Sequence, residues 1–240
     1  TRIAVIGGSG FKASSQFKSN KQFTNKTKFG DPSSALYEME SDGSSFYFLF
    51  RHGNPHRIPP HLVNYRANLS ALASRGAEIV IAINSVGAIS GSIPVGQLII
   101  PDQLIDYTWG REHTIDIGGD HDLMHVDFTE PFDLAISRDL SNVASKLNLE
   151  VLTGSVIGVT QGPRLESAAE IRKLKADGCD LVGMTSMPEA AIARELDLRY
   201  ASICVVSNPA AGLNESKLSY AEIREVIELQ SCSISMLLKE

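Results

Sequence analysis

Ile79-Val80-Ile81-Ala82-Ile83-Asn84-Ser85 is the stretch on which the fold turns. It is a near-continuous apolar run rich in β-branched residues. That suits a central strand covered on both faces of a parallel or mixed sheet. The run then changes abruptly to Asn84-Ser85. In open α/β sheets, ligands sit beyond the carboxyl ends of such strands.

Outward from this run, short apolar segments alternate with longer amphipathic ones. Strands are expected at residues 3–6, 46–50, 79–85, 98–101, 150–160, 181–184 and 201–206. Helices are expected at 63–75, 132–147, 165–176, 187–196 and 220–238; in the first of these, Leu69, Leu72 and Ala73 fall at helical spacing. The alternation predicts an α/β fold with a central mixed β-sheet or barrel flanked by helices. Residues 14–28, rich in Ser, Lys, Asn and Gln, read as a mobile loop. No repeat or Pro-rich linker divides the chain, so residues 1–240 are expected to form a single domain.

Composition excludes several classes. A net charge of −6 leaves no electrostatic footprint for a nucleic-acid partner. Cys179, Cys204 and Cys232 are scattered and odd in number, which argues against a disulfide framework and suits a reducing cytoplasm. No apolar run reaches the ~18 residues a membrane-spanning helix needs, so no membrane partner is expected. The first residues, Thr1-Arg2-Ile3-Ala4-Val5-Ile6, read as a strand rather than a signal peptide. They lack an initiator Met, so at least one residue is expected before Thr1.

Several strand ends carry candidate chemistry. Gly7-Gly8-Ser9-Gly10 lets backbone N–H groups approach an anion, and the Ser9 hydroxyl adds a donor. Gly8-x-Gly10-x-x-Ala13 also fits a dinucleotide fingerprint nominally, but the polar, aperiodic segment that follows is not the helix that fingerprint needs. Arg51-His52-Gly53-Asn54-Pro55-His56 follows the strand at 46–50; an Arg there offers a two-pronged fork to phosphate, and His52 adds a donor. His52, His56 and His61 invite a metal reading. Gly53, Pro55, Pro59 and Pro60 exclude a helix that would align them, and no Cys is near, so no metal is expected. Glu166, in Gln161-Gly162-Pro163-Arg164-Leu165-Glu166-Ser167, reads either as a charge favouring a helix N-terminus or as an acceptor for a ring N–H. Asn208, in Ser207-Asn208-Pro209, carries an amide that can donate and accept at once, so it can span O6 and N7 of a purine. Between them, in Gly183-Met184-Thr185-Ser186-Met187-Pro188-Glu189, Pro188 reads as a first-turn proline and Glu189 as a favourable early helix charge.

These motifs together resemble the trimeric purine nucleoside phosphorylase and methylthioadenosine phosphorylase family, from Ile6 to about Tyr220. The resemblance implies phosphate bound by Ser9, Arg51, His52, the Ser85 backbone and Thr185. It places Met184 under the ribose and Leu165 as an apolar wall near the base. His56 counts among the substrate-binding residues. Family members that bind 6-oxopurines have Glu at position 166, whereas the methylthioadenosine enzymes have a small hydroxyl residue. The latter also have Asp at 208 and again two residues on, where this chain has Asn208 and Ala210. Leu218 and Tyr220 offer apolar surface suited to a methylthio group at C5′. His125 is expected to cap that pocket from a neighbouring subunit of a homotrimer.

The activity implied is reversible phosphorolysis of methylthioinosine to hypoxanthine and methylthioribose 1-phosphate, with Asn208 as the catalytic residue. Inorganic phosphate is a co-substrate and no cofactor is needed. An inosine/guanosine phosphorylase is the nearest alternative, and a methylthioadenosine phosphorylase fits less well. A dinucleotide-dependent oxidoreductase or a non-catalytic nucleoside-binding protein are the rivals from other classes.

Overall fold

The structure is a computed structural model that describes residues 1–8, 11, 17–41, 43–120, 122–213 and 220–239, without the side chains of Asn20, Ser41 and Tyr220. Its strands are β1 (Ile3–Gly7), β2 (Lys18–Phe23), β3 (Leu36–Ser41), β4 (Ser44–Phe50), β5 (Ile79–Ala88), β6 (Leu98–Ile100), β7 (Gln103–Asp106), β8 (Val151–Thr153), β9 (Val156–Val159), β10 (Leu181–Gly183) and β11 (Arg199–Pro209). Its α-helices are α1 (Tyr65–Ser74), α2 (Leu134–Lys146), α3 (Ala168–Ala176), α4 (Ser186–Glu195) and α5 (Tyr220–Leu237).

The strands form one mixed sheet in the order β2-β3-β4-β1-β5-β10-β9-β7, with β11 pairing β5 and β6, and β8 pairing β6. β5 is its branch point. It runs parallel to both β1 and β11, and its last residues turn to an antiparallel pairing with β10 (Leu181↔Ala88). Side chains alternate across a strand. Val80 and Ala82 accordingly join a core with α1 and α4, while Ile79, Ile81 and Ile83 join a second core with α2 and α5. Burial on both faces is what the apolar run at 79–83 demanded.

The structure differs from the sequence expectations in several places. The run at 150–160 is two strands, not one. Gly154 between them has φ +79°, a conformation glycine adopts without steric cost. β8 then pairs β6, while β9 pairs β10 and β7. The mobile loop expected at 14–28 is also corrected: Lys18–Phe23 is an edge strand antiparallel to β3. Its polar composition is what an unpaired sheet edge tolerates. Phe17 anchors it, meeting Phe46 edge-on at 4.9 Å between ring centroids. Residues 12–16 lie outside the described residues.

α3 begins later than expected. Ser167 caps it, and Glu170 completes a capping box by accepting from the Ser167 N–H. Glu166 therefore precedes the helix, and Glu170 fills the helix-stabilising role. Among the described residues, no helix is long and apolar enough to cross a membrane.

Candidate active site

The carboxyl ends of β1, β4, β5, β10 and β11 open onto one cavity of about 530 Å³. Gly8, Arg51, His52, His56, Ser85, Met184, Thr185, Leu165, Glu166 and Asn208 all line it, together with Ser207, Ile223 and Arg224. Residues proposed for an anion and residues proposed for a purine thus meet in one space.

Arg51 is fully buried at the end of β4. Its Nε and Nη2 donate to the Glu189 carboxylate at 2.7 and 2.8 Å, and its Nη1 donates to the Ile83 carbonyl at 3.0 Å. Tyr200 donates to the same carboxylate. Burial opposes the Arg51 charge, but Glu189 outweighs it and holds the guanidinium pKa above its usual value. The reading of Arg51 is refined here: its two-pronged fork is taken up by Glu189. Glu189 does lie in the first turn of α4, as expected, and it is also wholly buried. Gly8 allows the close approach: a Cβ there would meet Ile83 O at 2.5 Å and Arg51 Nη1 at 2.8 Å.

His52 is also buried. Its Nδ1 lies 2.8 Å from the Ile58 carbonyl and its ring stacks on His56 at 4.5 Å. A carbonyl only accepts, so Nδ1 carries the hydrogen in the neutral ring and the free Nε2 is an acceptor, which corrects the donor role expected of His52 from the sequence. Burial, and then the Arg51 charge, lower the His52 pKa to about 3. His56 is lowered by burial and by Arg224, a cavity residue on α5 that the sequence reading missed. Only the helical spacing of α5 hinted at which of its residues turn inward.

Thr185 donates to Asn84 Oδ1 at 3.1 Å, and Asn84 in turn donates to Ser202 at 2.7 Å. Asn84 is buried and orients Thr185. Ser85 donates to Ser207 at 2.9 Å, and Ser207 donates to Asn208 Oδ1 at 2.8 Å.

Met184 sits between the two ends. Gly162, at φ +58°, leaves room for its sulfur, since a Cβ there would lie 2.5 Å away. Arg111 fixes the surrounding backbone. It donates to the carbonyls of Met184, Met187, Thr160 and Gln161, to Gln161 Oε1 and to the Tyr65 hydroxyl. Its isolated position before Glu112-His113 offered no sequence signal.

At the other end, Glu166 is buried and accepts from the Thr160 hydroxyl at 2.5 Å, whereas Leu165 is partly open to solvent. Asn208 donates one amide hydrogen to the Pro209 carbonyl at 2.7 Å. That leaves its second N–H and the second lone pair of Oδ1, enough to bond two neighbouring ligand atoms, one an acceptor and one a donor.

His125 is exposed and does not line this cavity. Ser9 and Leu218 lie outside the described residues, as does the Tyr220 side chain; only the backbone start of α5 is described there. Among the described residues, no group of His, Cys, Asp and Glu is arranged to hold a metal.

Comparison with known proteins bears on this arrangement. A probable S-methyl-5′-thioinosine phosphorylase of Pseudomonas syringae pv. tomato is 42% identical over 227 residues, 95% of this chain and 92% of its own length. A 6-oxopurine nucleoside phosphorylase of Pyrococcus furiosus is 39% identical, covering 99% and 90%. The methylthioadenosine phosphorylase of Schistosoma mansoni, solved in complex with adenine, superposes with a TM-score of 0.94 at 29% identity, over 99% of this chain and 89% of that one. The model of the Phosphorylase superfamily matches residues 2–240. With this match spanning nearly the whole chain, and the strand-end cavity in place, the chain belongs to the phosphorylase superfamily.

Proposed function

We propose that this enzyme catalyses reversible phosphorolysis of S-methyl-5′-thioinosine, giving hypoxanthine and 5-methylthioribose 1-phosphate. One observation carries the reading: Glu166 and Asn208 line the same cavity as Arg51, His52 and Thr185. Hypoxanthine presents N1–H and O6. A carboxylate accepts from N1–H, and an amide serves O6 and N7 together.

In the reaction, the C1′–N9 bond breaks and its electron pair leaves on the purine. A phosphate oxygen then bonds to C1′. Asn208 stabilises the charge or proton at N7 of the departing base. Met184 underlies the ribose. Ser9, the Ser85 backbone, Thr185, His52 and the Nη1 side of Arg51 hold phosphate. His52 accepts through Nε2, which matches a phosphate oxygen that still carries its proton. Positioning and electrostatics supply most of the catalysis. Phosphate is the co-substrate and the reaction calls for no organic cofactor or metal.

The whole chain serves as one nucleoside phosphorylase domain, in a cytoplasmic homotrimer that works in purine and methylthio salvage. Trp109, Ile117 and Leu123 are each about 70% exposed and share a segment with His125. Apolar exposure of this kind favours burial against another subunit. In the trimer, His125 caps a neighbour's C5′ pocket, which Leu218 and Tyr220 line, and His56 contacts the substrate.

A second reading, an inosine/guanosine phosphorylase, is favoured by the 6-oxopurine nucleoside phosphorylase of Pyrococcus furiosus. One panel separates the two: methylthioinosine, methylthioadenosine, inosine and guanosine, each with and without phosphate. Phosphate-dependent release of hypoxanthine, fastest from methylthioinosine, is expected. Faster turnover of inosine would establish the alternative.

A further inference from the structure

Glu166 is shared between two spaces. Besides the first cavity, it lines a second of about 340 Å³, bounded by Tyr107, Trp109, Gln161, Lys173 and Thr160. Packing alone therefore leaves its carboxylate room on either side. The side chain that ties it is Thr160, whose hydroxyl lies 2.5 Å from Oε1.

The direction of that hydrogen bond follows from the neighbours. A threonine hydroxyl has one hydrogen to give. Its other acceptor, the Gly183 carbonyl, is 3.4 Å away and already accepts the Thr160 backbone N–H at 2.8 Å. The shorter, charge-assisted bond to the carboxylate is the stronger one. Thr160 itself is held at the end of β9 by that backbone bond, and Arg111 donates to its carbonyl.

We propose that Thr160 is a specificity-determining positioning residue: by tying Oε1 of Glu166 back toward the second cavity, it leaves Oε2 facing the first as a fixed acceptor for the N1–H of a 6-oxopurine. This rests on the functional reading above and deepens it. An adenine ring presents a lone pair at N1, which repels such an acceptor. Thr160 therefore acts on the choice between bases, not on the bond being broken.

The test is the ratio of kcat/KM for methylthioinosine to that for methylthioadenosine. Thr160→Val should lower this ratio by ~10-fold or more, chiefly through a higher KM for methylthioinosine, the loss expected on removing a hydrogen bond to a charged group. Thr160→Ala is the second hydroxyl-free variant should Thr160→Val not fold. Thr160→Ser keeps the hydroxyl and should hold the ratio within about threefold of the parent. Equal loss on both substrates, with the ratio unchanged, would overturn the proposal, because a merely structural role lowers both together. Glu166→Gln separates this failure from failure of the functional reading. If Glu166→Gln collapses the ratio and Thr160→Val does not, only the role of Thr160 falls. If neither moves it, the 6-oxopurine reading falls as well.

Discussion

Arg51 and Glu189, 138 positions apart in the chain, form a two-pronged ion pair at 2.7 and 2.8 Å with neither side chain exposed. The pair joins the end of β4 to the first turn of α4, the element that follows Met184 and Thr185. It fixes the cavity wall that Arg51, His52 and Thr185 line.

Removing one partner leaves the other as an unpaired buried charge. Arg51→Ala and Glu189→Ala should each lower unfolding free energy by about 3–5 kcal/mol, measured by urea denaturation. Arg51→Lys keeps the charge without the fork, so it should cost less stability and raise the KM for phosphate more than that for nucleoside. An equal rise in both KM values would show that Arg51 has no selective role toward phosphate.

His52 makes stability depend on pH. Its folded-state pKa is about 3 against an ordinary 6.5, because burial and Arg51 disfavour the charged ring. Between these values the unfolded chain takes up a proton that the folded chain refuses. Stability should therefore fall as pH drops below about 6.5 and continue falling toward about 3. His52→Gln lacks this penalty, so the stability gap between parent and variant should shift in the variant's favour over that range. A gap constant between pH 4 and 7, values set within about the His titration window, would contradict a buried neutral His52.

Arg111 holds four backbone carbonyls around the Met184 segment. Arg111→Met fills the space but leaves these acceptors without their donor, and should cost roughly 3 kcal/mol or more. Arg111→Lys should recover only part, since an ammonium cannot reproduce the planar spread of guanidinium donors. Matched urea curves for Met, Lys and parent would check this; full recovery by Lys would mean the charge alone matters.

The subunit proposal predicts a trimer in sedimentation under assay conditions. It also predicts that His125→Ala raises the nucleoside KM although His125 does not line the cavity of its own chain. A fully active monomer would refute it.

Much of this was legible in the chain. The apolar run at 79–83 announced a strand buried on both faces, and the strand-end motifs at 51–52, 161–166, 183–185 and 207–208 converge on one cavity. What stayed hidden depends on distant partners. β2 is polar and reads as a loop because β3, not its own pattern, makes it a strand. Glu189 has the sequence look of a helix-start charge, and only folding brings Arg51 to it. Arg111 carries no local signature, since it acts through carbonyls supplied by other segments. Thr160 reads only as the end of a strand, and the turn at Gly162 that brings Glu166 back to it, six positions on, is not visible in its own residue type.

The most direct measurement is kcat/KM for methylthioinosine against methylthioadenosine, both with saturating phosphate. On the proposed reading, Glu166 accepts from the N1–H of hypoxanthine but would meet a lone pair on adenine, and the neutral amide of Asn208 has no acid to offer the adenine ring. Methylthioinosine should be favoured by at least ~100-fold, on the order of 3 kcal/mol, and Asn208→Asp should narrow the gap. Equal turnover of the two nucleosides by the unaltered enzyme would contradict the roles assigned to both Glu166 and Asn208.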